Sequence, residues 1–407
     1  MYARALSSKL CDALGDTPVV FLAGARQTGK STLVQTLEGG IDFRTFDDLG
    51  TLSSAKADPE GFVASLGERA VLDEVQRAPE LLLPIKASVD RNRRAGRFVL
   101  TGSANILALP KVSESLAGRM EVLTLWPLAQ AEMEGKYPAF VDACFGGGVQ
   151  HLQPARLDRE ELMERTLCGG YPEVTTRRSP EARTRWFEAY LTTLIQRDVR
   201  DLAAIEGVAH LPRLLQSVAT RAGSPMNIAD LGRSLGLNQV TLKRYLILLE
   251  TLFLLVQLPP WFENLGKRLA KTPKLYFNDS GLLAHLLGLD RDGMVRNPST
   301  WGPVLENFVV MELVKMAAWS KARPSLFHMR TSTGLEVDLV MENRRRELVG
   351  LEVKAASTVS EGDFKALRLF RDSVGERLKC GVVLYAGREV LPFGSGLWAV
   401  PLQALWA

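Results

Sequence analysis

The sequence predicts an α/β protein. It comprises a P-loop NTPase parallel sheet, a helical lid, a winged helix-turn-helix, and a second α/β domain at the C-terminus. Three observations carry that prediction. "PVVFLAGARQTGKSTLVQTL" sets a glycine-rich loop between an apolar strand and an apolar helix. "LPRLLQSVATRAGSPMNIADLGRSLGLNQVTLKRYLILLE" reads as three consecutive helices. "EVDLVMENRRRELVGLEVKAA", Glu336 to Ala356, holds two strand-like runs with acidic residues at alternate positions.

A chain of 407 residues is too long for one ordinary core. Its 46% apolar content supplies folded domains, and 24% charged residues argues against long disorder. A net charge of +4 restricts any nucleic-acid binding to local basic patches. The four cysteines, Cys11, Cys144, Cys168 and Cys380, have neither metal-ligand spacing nor a disulfide framework. No secretory order is evident at the N-terminus, and no apolar run approaches the roughly 20 residues that span a bilayer. The expectation is a soluble, cytoplasmic protein with no membrane partner. Its divisions fall at 1–157, 158–206, 207–290 and 291–407.

Gly24 to Ser31 fits G-x-x-x-x-G-K-[ST]. Glycines let successive N–H groups turn toward phosphates, lysine supplies a charge, and the hydroxyl after it ligates Mg²⁺. Gly24, Arg26, Gln27, Thr28, Gly29, Lys30, Ser31 and Thr32 are therefore the expected cradle for ATP. In "ERAVLDEVQRAPELL" a short apolar strand ends in Asp73 and Glu74. Asp73 is the expected second Mg²⁺ residue, and Glu74 is placed to polarise the attacking water. The next strand, "GRFVLTGSANIL", ends in Thr101-Gly102-Ser103. Ser103 is the expected γ-phosphate sensor, with Asn105 competing for the role. Strands alternating with helices imply parallel pairing, with ligand at the carboxyl ends of the strands.

Together "GARQTGKST", "LDEVQRAPELL", "VLTGSAN" and "SLAGRMEVLTLWPL" resemble the AAA+-type ATPases of bacteria and archaea that carry a characteristic C-terminal domain. The resemblance extends through "GGYPEV" and "PKLYFNDSGLLAHLLG". It implies an arginine finger from a neighbouring subunit, for which Arg119 is the candidate, and hence a homo-oligomer, a hexameric ring being one form. It also implies that 158–206 is a lid, with Trp186, Phe187, Tyr190, Leu191, Leu194 and Ile195 on one side.

In the helix-turn-helix, Asn227 caps the second helix, Gly236 ends it, and Asn238 begins the third. Val240, Leu242, Tyr245, Leu246 and Leu249 are its apolar positions. Asn238, Gln239, Lys243 and Arg244 are left for bases and phosphates of DNA. A wing with Lys267, Arg268, Lys271 and Lys274 would track the backbone.

Near the C-terminus, "VLENFVVMELVKMAAW" reads as an amphipathic helix with Leu305, Phe308, Val309 and Leu313 inward and Glu306 at the margin. In the hairpin that follows, Asp338, Glu352 and Lys354 share one face. Two carboxylates can hold Mg²⁺ while a lysine activates water, and Glu306 would complete the shell. Asp338 with Glu352-x-Lys354 resembles the PD-(D/E)-x-K nucleases, although the proline before the aspartate is missing. That resemblance implies a restriction-endonuclease-like α/β fold for 291–407.

The leading expectation is an oligomeric, ATP-hydrolysing, DNA-binding protein that remodels, translocates on or repairs DNA. The alternatives are an ATP-gated protein-interaction switch and an ATP-regulated, metal-dependent nuclease.

Overall fold

The computed structural model describes residues 2–38, 40–104, 116–154, 157–198, 208–263, 272–331 and 334–407. It divides into two compact units, Met1–Pro127 with Leu249–Leu254, and Leu128–Leu248 with Leu255–Ala407. The described residues of 128–157 group with the C-terminal segments rather than with the phosphate loop. Among the described residues no helix is long and apolar enough to cross a membrane.

In the first unit, β1 (Val19–Ala23), β2 (Asp42–Thr45), β3 (Ala70–Asp73), β4 (Phe98–Gly102) and β5 (Met120–Thr124) form a sheet in the order β2-β3-β4-β1-β5. Every pairing is parallel, as the alternation with helices implied. All residues of β1, β3 and β4 are buried, which explains why those strands, apart from Asp73 and Thr101 near their carboxyl ends, are apolar rather than alternating. Their side chains join a core with Phe46, Leu81, Ile85 and Val89. Four residue-to-residue steps separate the ends of a strand such as β1, about 13 Å at 3.3 Å per step. That length separates the two rims of the sheet.

In the second unit, α1 (Leu211–Ala219), α2 (Ile228–Leu235) and α3 (Gln239–Thr251) precede an antiparallel pair, β6 (Leu255–Leu258) with β7 (Lys274–Phe277). Asn227 Oδ1 accepts from Asp230 N, Gly236 adopts the left-handed conformation beyond α2, and Asn238 Oδ1 accepts from Thr241 N. The caps thus lie where the residue types placed them. Val240 is not inward. It is 71% exposed, because Leu242, Tyr245, Leu246 and Leu249 already form the buried stripe and Val240 lies off it. In the segment 158–206, Trp186, Phe187, Tyr190 and Leu194 are buried, while Leu191 and Ile195 are half-buried.

The remaining sheet runs β12-β13-β11-β10-β9-β8, formed by β8 (Ser325–Arg330), β9 (Glu336–Glu342), β10 (Leu348–Lys354), β11 (Leu378–Tyr385), β12 (Leu391–Pro392) and β13 (Leu397–Pro401). The expected hairpin is β9 with β10, in register Leu339 to Leu351. Both parities of β9 are buried, Val340 as well as Val337, Leu339 and Met341, so the alternating acids face an interior rather than solvent. Helix α4 (Pro298–Trp319) is not amphipathic. From Val304 to Leu313 its apolar residues are all buried, as are Asn307 and Glu312, so it is a core helix wrapped on all sides.

Candidate functional site

The loop after β1 turns at residues whose backbones demand it. Gly29 has φ 93°, and a Cβ on Gly24 would lie 2.3 Å from the carbonyl oxygen of Leu125. Arg4 ties the loop from outside, donating to Thr28 O at 2.7 Å and to Trp126 O at 2.6 Å. Thr28 is buried and closes the loop on Ala25 O. Lys30, 4% exposed, donates to Gly24 O and Ala25 O at 3.0 and 2.9 Å, so its amine lies within the loop. Arg26 is half-buried, while Gln27 and Thr32 are exposed.

Ser31 Oγ donates to the Asp73 carboxylate, at 2.9 Å from Oδ1 and 3.1 Å from Oδ2. The hydroxyl and carboxylate that together suit Mg²⁺ are therefore adjacent, and the donor set of hard oxygens fits that ion. When bound, the ion would draw charge from the phosphate oxygens. Thr45 Oγ1 and Thr101 Oγ1 also reach Asp73, at 3.2 and 2.6 Å, and fix the carboxylate. Both threonines were missed from the sequence, where only their position at the ends of β2 and β4 could have found them.

Ser103 lies just beyond β4, the strand between β1 and β3. It is buried and accepts from Gln76 Nε2 at 2.9 Å; the same nitrogen contacts Glu74 Oε2. Lys30, Ser31, Asp73, Glu74 and Ser103 thus gather along the carboxyl rim of one sheet. Asn105 lies outside the described residues. Arg119 is not at this rim. It precedes β5, at the opposite end of the sheet, and forms a two-pronged ion pair with Asp90 at 2.5 and 3.0 Å.

A second cluster of charges lies in the C-terminal hairpin. The ladder between β9 and β10 stops at Leu339 and Leu351, and Asp338 Oδ2 accepts from Val353 N at 2.9 Å. Lys354 Nζ donates to Glu352 Oε2 at 3.1 Å. Asp338, Glu352 and Lys354 are therefore neighbours, as the alternation implied. Glu306 is not positioned as a third metal ligand. Its Oε1 accepts from Lys274 Nζ at 3.0 Å and from Tyr276 OH at 2.7 Å. Lys274 is 1% exposed, pairs with Glu336 as well, and lies 4.0 Å from Asp338. Its expected place in a surface patch is thus corrected. It sits in β7, where the fully buried strand delivers its amine to three carboxylates. Among the described residues no group of three or more His, Cys, Asp or Glu is placed to hold a metal ion. A metal shell of Glu306, Asp338 and Glu352 does not fit this arrangement.

Burial and the nearby Asp338 charge push Glu306 up to about 7, against the pull of Lys274 and Tyr276. The same two causes push Glu352 up to about 8, and its Oε1 is buried without a hydrogen-bond partner. Burial, followed by the Lys274 charge, pulls His328 down to about 4. Burial lowers Lys274, but Glu306, Asp338 and Glu336 outweigh it and hold the amine above its usual value.

On α3, Asn238, Gln239, Lys243 and Arg244 are all exposed. Lys267, Arg268 and Lys271 lie outside the described residues.

A phosphate loop joined to an acidic strand on a parallel sheet defines a P-loop ATPase. Residues 16–134 match the model of an AAA domain, and two domains of unknown function follow at 159–293 and 301–405. The chain belongs to the family of an uncharacterized protein of Mycobacterium tuberculosis, to which it is 33% identical over 405 residues, covering 99% of this chain and 84% of that protein. An uncharacterized Mycobacterium bovis protein gives the same figures. An uncharacterized protein of Haemophilus influenzae is 25% identical over 224 residues, 54% of this chain and 51% of that one. Among solved structures, the Walker-type ATPase of Pyrococcus abyssi has a TM-score of 0.44 at 17% identity, covering 70% of this chain and 96% of that one. A RuvB variant of Thermotoga maritima has 0.29 at 19%, covering 65% and 94%.

Proposed function

We propose that the protein is an oligomeric ATPase that couples hydrolysis of ATP to engagement of DNA. The observation that carries the ATPase reading is the carboxyl rim, where Ser31 meets Asp73 and Glu74 lies within one amide's reach of Ser103. Lys30 neutralises β- and γ-phosphate charge, Ser31 and Asp73 hold Mg²⁺, and Glu74 accepts the proton of the attacking water. Arg119 is about 13 Å or more from the rim of its own sheet. It therefore serves a γ-phosphate only across a subunit boundary, which would require a homo-oligomer, exchanging its Asp90 partner for phosphate.

DNA engagement is supported by the helices α1 to α3, the last two capped by Asn227 and Asn238, the ribbon β6–β7, and the exposed Asn238, Gln239, Lys243 and Arg244. A winged helix is the reading that suits this order. A second reading, the protein-interaction switch, is favoured by one observation. Val240 and Ile247 are 71% and 56% exposed on the same helix, at a spacing that shares a face with Lys243 and Arg244.

The test is ATP turnover with duplex, forked and four-way-junction DNA. Lys30→Ala should lose nucleotide binding, and Glu74→Gln should bind ATP while turning over about 10² to 10⁴ times more slowly. Lys243→Ala and Arg244→Ala should each reduce the salt slope of DNA binding by about one. If no DNA binds or alters turnover, the DNA reading fails and the switch gains. Metal-dependent cleavage lost in Asp338→Ala and Lys354→Ala would instead support the nuclease.

A further inference from the structure

We propose that Gln76 is a positioning residue for ATP hydrolysis, its single amide group setting the hydrogen-bond polarity of both Glu74 and Ser103. The inference rests on the hydrolytic reading above and adds a residue to it. Gln76 lies two positions beyond Glu74, and the chain between them is bent back on itself. Glu74 has φ 59° and ψ 45°, the left-handed region, and leads into a short 3₁₀ turn over Val75–Arg77. That conformation is sparsely populated for a residue with a side chain. It is held by the Glu74 N–H, which donates to Thr101 Oγ1 at 3.1 Å, while the threonine hydroxyl donates to Asp73 Oδ1.

The bend returns the Gln76 side chain to the carboxylate it follows. Nε2 donates to Glu74 Oε2 and, at 2.9 Å, to Ser103 Oγ. An amide nitrogen has two protons and no acceptor capacity, so both are spent. The reverse amide orientation would set an oxygen against a carboxylate, so the chemistry fixes which end faces Glu74. Two consequences follow. Oε2 of Glu74 is occupied as an acceptor, leaving Oε1 as the oxygen that takes a proton from water. Ser103 has a lone pair filled, so its own proton is directed elsewhere, toward an anionic oxygen beside the rim.

The amide oxygen is buried without a hydrogen-bond partner, so the group is not placed for its own satisfaction. Gly102 makes the room. A Cβ there would lie 2.9 Å from Gln76 Oε1 and 3.1 Å from the Phe21 ring. One contact thereby links the glutamine of "LDEVQ" to the glycine of "LTGSAN".

In the step served, the water oxygen bonds to the γ-phosphorus as the bond to the β-γ bridging oxygen breaks. That electron pair stays on ADP, and the proton of water passes to Glu74 and is then released to phosphate or solvent. Gln76 touches none of the reacting atoms. It keeps the acceptor and the donor oriented before they are needed.

The experiment compares Gln76→Leu and Gln76→Glu with wild type and Glu74→Gln, measuring kcat, KM and affinity for a fluorescent ATP analogue. Gln76→Leu should lower kcat about ten- to a hundredfold while nucleotide affinity stays within about twofold. Gln76→Glu keeps a side chain of the same length but replaces the donor with an acceptor, and should lower kcat at least as far while nucleotide affinity again stays within about twofold. If Gln76→Leu does not fold, the split between kcat and nucleotide affinity in Gln76→Glu decides. A kcat in either variant within about twofold of wild type or above it overturns the proposal. Were Glu74→Gln itself to turn over normally, the hydrolytic reading of Glu74 would fail instead.

Discussion

Glu352→Gln should stabilise the protein, and increasingly so as the pH rises. Glu352 is 5% exposed, one of its oxygens has no partner, and its pKa is pushed from an ordinary 4.5 to about 8. Between those values the folded chain holds a proton that the unfolded chain has lost. The group's favourable contribution is therefore complete below about pH 4.5, declines as pH rises, and is fully lost above about pH 8. Glutamine is the neutral isostere, and its carbonyl still accepts from Lys354, which donates to Glu352 Oε2 at 3.1 Å. Integrating the proton difference, the advantage of glutamine should grow by about 3 kcal/mol between pH 5.5 and pH 8.5. Urea unfolding of both full-length proteins at the two pH values measures it. An advantage that is constant, or that shrinks with rising pH, would refute the account of this carboxylate as a buried group whose charge is opposed by burial and by Asp338.

Two other expectations follow from the same geometry. Lys274→Met leaves Glu306 with the Tyr276 hydroxyl and Glu336 with Arg330 at 3.9 Å, and removes the cation 4.0 Å from Asp338; it should cost about 3–5 kcal/mol near pH 8. The cost should fall near pH 5.5, where Glu306 is protonated, and an equal loss of thermal stability at both pH values would count against this arrangement. Arg4→Ala removes two hydrogen bonds that hold the phosphate loop and should weaken ATP binding about tenfold. Titration with a fluorescent ATP analogue reads it, and unchanged affinity would mean that the loop holds its shape without Arg4.

Features made by neighbours in sequence were legible. The eight residues of the phosphate loop act through consecutive backbone groups, so spacing alone located the turn and Lys30. The caps at Asn227 and Asn238 bond to amides three residues on, and residue type sufficed to place them. Alternation in the hairpin brought Asp338, Glu352 and Lys354 together, since strand parity is a local property. The readings that went astray concern distant partners. Lys274 looked like one of several wing lysines, but its partners, Glu306, Glu336 and Asp338, are 32 or more residues away. Burial of α4 on every side was hidden for the same reason: an apolar helix does not reveal how many neighbours cover it.

By itself, then, the sequence determined the chemical vocabulary of this protein: a lysine and a hydroxyl in a glycine-turned loop, paired acids at a strand end, and a charged hairpin. Only the tertiary structure decided which of these groups meet. It inserted β4 between β1 and β3, bringing Ser103 to Gln76 and Glu74, and it carried Lys274 into the carboxylates that had suggested a metal. Hydrogen bonds and ion pairs act over a few ångströms, and the residues that come that close across a fold are selected by strand order and burial, which no local pattern encodes.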